Sequence, residues 1–113
     1  MSFDVFVKIA KEERKYFENY VEYAKKIERI AEMLLGEAEV FVFGSVVEGR
    51  HTPASDIDIL ICSKNAPRKM EEKAKITGKI LKEIDILAPF EIHIVTPEEF
   101  EWYRKFLGKT VKV

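Results

Sequence analysis

The sequence predicts a two-layer α+β fold in which helices pack against one short sheet. Three observations carry this expectation. Apolar residues recur at helical spacing from Phe3 to Leu35, three short apolar runs at 40–43, 57–62 and 90–95 read as strands, and a second helical pattern fills 68–84 between the last two strands. The whole chain, 1–113, is read as one domain in which 3–35 form an N-terminal helical extension.

The first element is long for so small a domain. Phe3, Phe6, Val7, Ala10, Phe17, Tyr20, Val21, Ala24, Ile27, Ala31 and Leu34 are spaced three, four or one apart, with charged residues between them. This pattern fits one amphipathic helix, or two with a slight break near Glu13 to Lys15, ending at Gly36. Val40 to Phe43 then form a buried strand that stops at Gly44-Ser45. The stretch from Val46 to Ser55, with Gly49 and Pro53, predicts a short helical turn and a loop. Ile57 to Cys62 form the second strand, and the following helix is expected to turn Met70, Ala74, Thr77, Ile80, Leu81 and Ile84 inward. In the third strand, Phe90, Ile92 and Ile94 face one way and Glu91 and His93 the other. Thr96-Pro97-Glu98-Glu99 carries an N-cap threonine, proline at N1 and glutamate at N3, so a short helix through Phe100, Tyr103 and Phe106 follows. The last six residues are expected to fray or to add an edge strand.

Composition narrows the function. Nineteen basic residues against twenty acidic give a net charge of −1, so no global positive field recruits nucleic acid. A local patch is still conceivable from Arg50, His51, Lys64, Arg68 and Lys69, which fall near the proposed site in sequence. The apolar runs are too short to cross a bilayer, and no export signal opens the chain, which suggests a cytoplasmic setting. Cys62 is the only cysteine; it suits a reducing compartment and reads as a buried structural thiol. The exposed part of the N-terminal apolar stripe leaves room for a subunit contact, a homodimer among the options.

The chemistry rests on polar residues in strands that otherwise read as buried. Asp56 and Asp58 flank Ile57, and on a strand they point to one face. Two carboxylates held that close repel each other, and a divalent cation compensates them. Ten residues lie between Ser45 and Asp56, enough for the chain to return to the same end of the sheet. Gly44 lets the backbone turn tightly and admits a phosphate where a Cβ would stand, and the Ser45 hydroxyl and the amides after it would face that phosphate. Glu91 is the third acidic candidate. His93 shares its face, with an auxiliary or structural role favoured over metal ligation. The bland alternative for all the acidic residues is one solvated face of the sheet. Walker A, Gly-x-Gly-x-x-Gly, Cys-x-x-Cys and His-Glu-x-x-His motifs do not occur in the sequence.

Phe43-Gly44-Ser45, Ser55-Asp56-Ile57-Asp58-Ile59 and Glu91 together resemble the nucleotidyltransferase superfamily that includes DNA polymerase beta, and especially its minimal, stand-alone members. The resemblance covers roughly residues 36 to 105. It implies a small mixed β-sheet flanked by helices, with metals held by Asp56 and Asp58 and completed by Glu91, where the family commonly has aspartate. It also implies two Mg²⁺ ions and a nucleoside triphosphate, ATP being the expected case, bound with the help of Gly44, Ser45 and Arg50. Transfer of a nucleoside monophosphate, AMP in that case, to a hydroxyl on a protein, RNA or small molecule follows, with release of pyrophosphate. Arg50 and Lys64 are candidate charge stabilisers, with a solvated surface role as the alternative. Minimal members often pair with a small helical HEPN-class protein, some pairs resembling toxin and antitoxin. The rival functional class is therefore an antitoxin-like or regulatory binding protein with little or no catalysis.

Overall fold

The computed structural model describes residues 2–52 and 54–113, with residues 6–12 described by their backbone alone. The side chains of Phe6, Val7 and Ala10 in the expected helical stripe, and Pro53 in the loop, lie outside the described residues. The elements in order are α1 (Phe3–Glu18), α2 (Tyr20–Leu35), β1 (Glu39–Phe43), α3 (Ser45–Glu48), β2 (Ile57–Cys62), α4 (Met70–Ile84), β3 (Phe90–Val95), α5 (Pro97–Tyr103) and β4 (Thr110–Lys112). They form a mixed four-stranded sheet flanked by helices, in the order β3-β2-β1-β4. β2 runs parallel to β3 and antiparallel to β1, and β4 adds to β1 as an antiparallel edge strand.

The N-terminal region is two helices, and the break falls at Asn19 instead of the expected Glu13 to Lys15. Asn19 leaves helical geometry at φ −120° and ψ 30°, while its backbone N–H and its side-chain amide both donate to the Lys15 carbonyl, at 3.0 and 2.8 Å. A short amide side chain that competes for backbone acceptors is a sufficient local cause. Gly36 ends α2 as expected, at φ 87°, with its N–H on the Glu32 carbonyl at 2.8 Å.

Strand alternation divides the interior in two. One face of the sheet carries Val40, Val42, Ile57, Ile59, Ile61, Phe90 and Ile94 into the main core, against Tyr16, Ala24, Ile27, Ala31, Leu35 and Ile80 from the helices. Each of the five fully buried isoleucines, Ile27, Ile57, Ile59, Ile61 and Ile80, contributes about 1.5–3 kcal/mol of transfer free energy. Of the aromatic residues in or beside the N-terminal stripe, Tyr16, Phe17, Tyr20 and Tyr23 join this packing, whereas Phe3 is exposed. Tyr16 is buried, donates its hydroxyl to Asp85 at 3.1 Å and meets Phe90 edge-on at 5.5 Å between centroids.

The opposite face holds a smaller cluster. Leu60, Cys62 and Val95 are covered by Phe41, Phe43, Phe100, Tyr103 and Leu107. Cys62 is therefore the buried thiol that its strand position predicted, and burial, followed by the charges of Glu39, Glu37 and Glu101, raises its pKa above the ordinary value. α5 lies over only part of this face, so the end nearest the start of β2 remains open. That end carries the polar residues.

Two expectations for α4 and α5 change. α4 begins at Met70, two residues later than expected, because Lys69 is extended at φ −76° and ψ 133°. Met70 is 77% exposed and Ala74 is also exposed: β3 is the sheet edge, and there the start of α4 borders an open groove instead of the core. Phe106 lies beyond the end of α5 and is exposed, packed on Trp102 at 4.9 Å. Among the described residues no helix is long and apolar enough to cross a membrane.

The capping box that starts α5 is formed in full: the Thr96 hydroxyl accepts from the Glu99 N–H at 3.2 Å, and the Glu99 carboxylate accepts from the Thr96 N–H at 2.9 Å. Thr96→Ala is expected to lower the urea midpoint by the equivalent of about 1 kcal/mol without changing the slope of the transition.

Candidate active site

Pairing register assembles the site. Phe43 stands opposite Asp58 in the antiparallel β1–β2 ladder, and Asp58 stands opposite Glu91 in the parallel β2–β3 ladder. One row across three strands therefore reads Phe43, Asp58, Glu91. The next row on the same face reads Phe41, Leu60, His93, about 7 Å further along. The Gly44-Ser45 turn and the start of β2 consequently share one end of the sheet, as the ten-residue separation allowed.

Gly44 has a specific reason to be glycine. Its φ of 83° and ψ of −158° lie where side-chain-bearing residues are strained, and a Cβ at this position would collide with the Asp58 carboxylate. Backbone and carboxylate are thus in direct contact. Ser45 follows as the first residue of α3; its carbonyl accepts from Gly49 and Arg50 N–H groups, and its half-buried hydroxyl has no hydrogen-bond partner among the described residues. The loop leading back to β2 is tied by the Ser55 hydroxyl, which accepts from the Thr52 N–H at 2.9 Å, and by the Ser55 N–H on the Thr52 carbonyl. Asp56 emerges from that loop, exposed, immediately before β2.

Asp58, Glu91 and His93 converge: one ligand atom from each lies within 4.8 Å of the others. His93 Nε2 is 3.6 Å from Glu91 Oε1 and 3.9 Å from Asp58 Oδ1. Asp58 is the least accessible of the three, with 23% of its side chain exposed against 55% for Glu91. Burial first, then the charge of Glu91 and a hydrogen bond shared with it, raise the Asp58 pKa from 3.8 to about 6; His93 opposes this, and Asp56 adds a smaller upward push. Asp56 lies outside the set of mutually close ligand atoms, but its charge reaches Asp58.

This donor set suits a divalent cation. Two donors about 2.1 Å from one ion lie about 3.0 Å apart when adjacent in an octahedron and about 4.2 Å apart when opposite; the His93 separations fall between these values, so the side chains would shift by several tenths of an ångström to take an ion. A cation there would also relieve the carboxylate repulsion that raises the Asp58 pKa.

The basic residues expected near the site are mostly elsewhere. Lys64, Arg68 and Lys69 follow the far end of β2, whose last residue, Cys62, lies roughly 13 Å along the strand from Asp58. Lys64 donates its backbone N–H to the Glu37 carboxylate at 3.0 Å, and Arg68 pairs with Glu98 at 3.2 Å. Sequence proximity misled because β2 carries the chain away from the site before these residues occur. Arg50 stays beside Ser45 through its backbone, while its guanidinium pairs with Glu48 at 2.8 Å. His51 stacks on Phe17 of α1, with centroids 5.0 Å apart and planes 10° from parallel.

The sequence did not show how close His93 comes to the carboxylates. Its alternation with Glu91 was legible, but the reach of its ring toward both carboxylates depends on the β2–β3 register. The groove beside β3 was not anticipated. It has a volume of about 420 Å³ and is lined by His93, Ile92, Ile94 and Tyr103 on one side and by Met70, Lys73, Ala74, Thr77 and Gly78 on the other.

A carboxylate-bearing sheet end beside a Gly-Ser turn, in a mixed sheet flanked by helices, defines a nucleotidyltransferase-type domain. The family model for a nucleotidyltransferase domain matches residues 24–111, and the chain belongs to that family, within the DNA polymerase beta-like superfamily. A crystal structure of a protein inferred to be a nucleotidyltransferase is 34% identical, with a TM-score of 0.64, over 79% of this chain and 95% of that one. A second, from Sulfolobus solfataricus and also inferred to be a nucleotidyltransferase, shares the fold at 19% identity and a TM-score of 0.55, over 84% of this chain and 82% of that one. No curated protein matches the sequence. Nucleotidyl transfer is accordingly the reaction class of the chain.

Two outcomes test this geometry. The Asp58 pKa is raised on folding, so its contribution to the stability of metal-free protein is complete below 3.8 and lost as pH rises through about 6. Glu99, whose pKa is lowered, changes in the opposite sense, so the measurement is a difference between proteins. The melting temperature of Asp58→Asn relative to wild type is expected to rise across that interval, and a flat difference would remove the raised Asp58 pKa, caused first by burial and then by Glu91, from the account. Gly44→Ala is expected to destabilise the fold by about 1–3 kcal/mol and to weaken divalent-cation binding by displacing Asp58, measured by chemical unfolding and calorimetric titration.

Proposed function

We propose that the chain transfers a nucleoside monophosphate, AMP from ATP in the expected case, to an acceptor hydroxyl and releases pyrophosphate, with Mg²⁺ as the nucleotide-bound ion. The observation that supports this reading most directly is the row formed by Asp58 and Glu91, with Gly44 packed against the Asp58 carboxylate. When bound, divalent cations at such a site neutralise the phosphates and lower the pKa of the acceptor hydroxyl.

The remaining work falls to the chain. Asp56 and Asp58 would hold the nucleotide-bound ion with oxygen donors, and Asp58 and Glu91 would face the acceptor side. Glu91, more than half exposed, is free to take the acceptor proton as the new phosphoester bond forms and the bond to pyrophosphate breaks. The Ser45 hydroxyl and the N–H groups following Gly44 orient the triphosphate so that the acceptor attacks the α-phosphorus in line. The groove beside β3 begins at His93 and provides a route for the acceptor to this end of the sheet.

With a nucleoside triphosphate labelled at the α-phosphate, Mg²⁺ and a candidate protein or RNA, label is expected to pass to the acceptor. Asp56→Asn and Asp58→Asn are expected to lower that rate by about 100-fold or more with the fold retained. Undiminished transfer by either variant would refute the mechanism, and a fully active Glu91→Gln would exclude Glu91 as the base.

A further inference from the structure

We propose that His93 is a metal ligand, and that Asp58, Glu91 and His93 form a mixed oxygen and nitrogen position that prefers Mn²⁺ to Mg²⁺. This inference rests on the proposed function, since it concerns the acceptor-side ion of the same site. It goes beyond that reading by giving the histidine a coordinating role and the position a different metal.

Three observations support it. First, the His93 Nε2 separations of 3.6 and 3.9 Å are too long for hydrogen bonds to Glu91 and Asp58 but lie between the adjacent and opposite donor spacings around one ion, so a small inward shift of the side chains would let all three ligate it. Asp58 and Glu91 share a hydrogen bond, and the imidazole stands within ion-pair distance of both carboxylates without a hydrogen bond to either. Second, the imidazole has two aromatic neighbours, Phe43 at 5.7 Å and Tyr103 at 6.4 Å between centroids, and packing against them limits the entropy lost on coordination. Third, His93 also lines the groove beside β3, so the position has an access path.

Ligand chemistry then discriminates between ions. Mg²⁺ takes oxygen donors almost exclusively and gains little from an imidazole. Mn²⁺ shares the preference of Mg²⁺ for carboxylate and phosphate oxygens but, as the first and weakest-binding member of the transition-metal series, also accepts an imidazole nitrogen, so one such ligand favours it over Mg²⁺. Asp58 is shared between the two positions, with Asp56 completing an oxygen-only one and Glu91 with His93 completing the mixed one. The site is thereby divided into a nucleotide-side ion of Mg²⁺ type and an acceptor-side ion of Mn²⁺ type.

Mn²⁺ titration of the metal-free full chain, followed by pulsed electron paramagnetic resonance, tests this directly. Bound Mn²⁺ is expected to show coupling to an imidazole nitrogen, and the coupling is expected to vanish in His93→Gln. Calorimetry is expected to show Mn²⁺ affinity reduced by about 10-fold in that variant, with Mg²⁺ affinity changed by less than about 3-fold. Mn²⁺ bound without nitrogen coupling overturns the role of His93, and equal loss of Mn²⁺ and Mg²⁺ affinity overturns the preference for Mn²⁺, either result leaving the carboxylate site intact. Failure of wild-type protein to bind either ion, with or without a nucleoside triphosphate, overturns the proposed function itself. The resonance measurement on wild-type protein decides the question even if His93→Gln does not fold.

Discussion

Register between β2 and its two neighbours is the constraint on which the site depends. A parallel pairing that sets Asp58 opposite Glu91, and an antiparallel one that sets it opposite Phe43, place two carboxylates side by side with a glycine turn at their flank. A slip of one residue would send Asp58 into the core and bring Ile57 or Ile59 out to the site. The fully buried isoleucines on the reverse of β2 oppose that slip, so hydrophobic packing on one face holds charged groups together on the other. Stability and chemistry share one strand.

The two faces are covered to different extents. α2 and α4, with the described end of α1, close the first face, whereas α5 closes only the far part of the second, over Leu60, Cys62 and Val95. The uncovered end gives a carboxylate of intermediate burial: shielded enough for its pKa to rise to about 6, open enough for a cation and a phosphate to reach it. Full burial would keep Asp58 protonated, and full exposure would weaken every electrostatic interaction at the site. Partial cover by one short, well-capped helix lies between these limits.

Peripheral contacts connect this end to the rest of the molecule. Phe17 of α1 stacks on His51, in the loop that leads to Asp56, and Tyr16 of the same helix packs against Phe90 at the start of β3. The N-terminal region is therefore attached to both strands that carry the acidic residues. Among its described aromatic residues, Tyr16, Phe17, Tyr20 and Tyr23 pack within the chain while Phe3 is exposed.

Local sequence determined the strands, the caps and the acidic candidates. Alternation in Ile57 to Cys62 and Phe90 to Val95, Gly36 as a helix stop and the Thr96-Pro97-Glu98-Glu99 start signal all express short-range preferences, and each appears where the residues indicated. The family resemblance in Gly44-Ser45, Asp56-Ile57-Asp58 and Glu91 was likewise legible, because it is carried by residues at short, countable spacings. What tertiary structure decided was how far side chains reach across strands and where chain direction carries neighbours in sequence. Only the β2–β3 register brings His93 to Asp58 and Glu91, and only the direction of β2 removes Lys64 and Arg68 from the site. The exposed start of α4 likewise follows from an open sheet edge, whereas the break at Asn19 has a local cause, competing hydrogen bonds to the Lys15 carbonyl, that apolar periodicity does not encode.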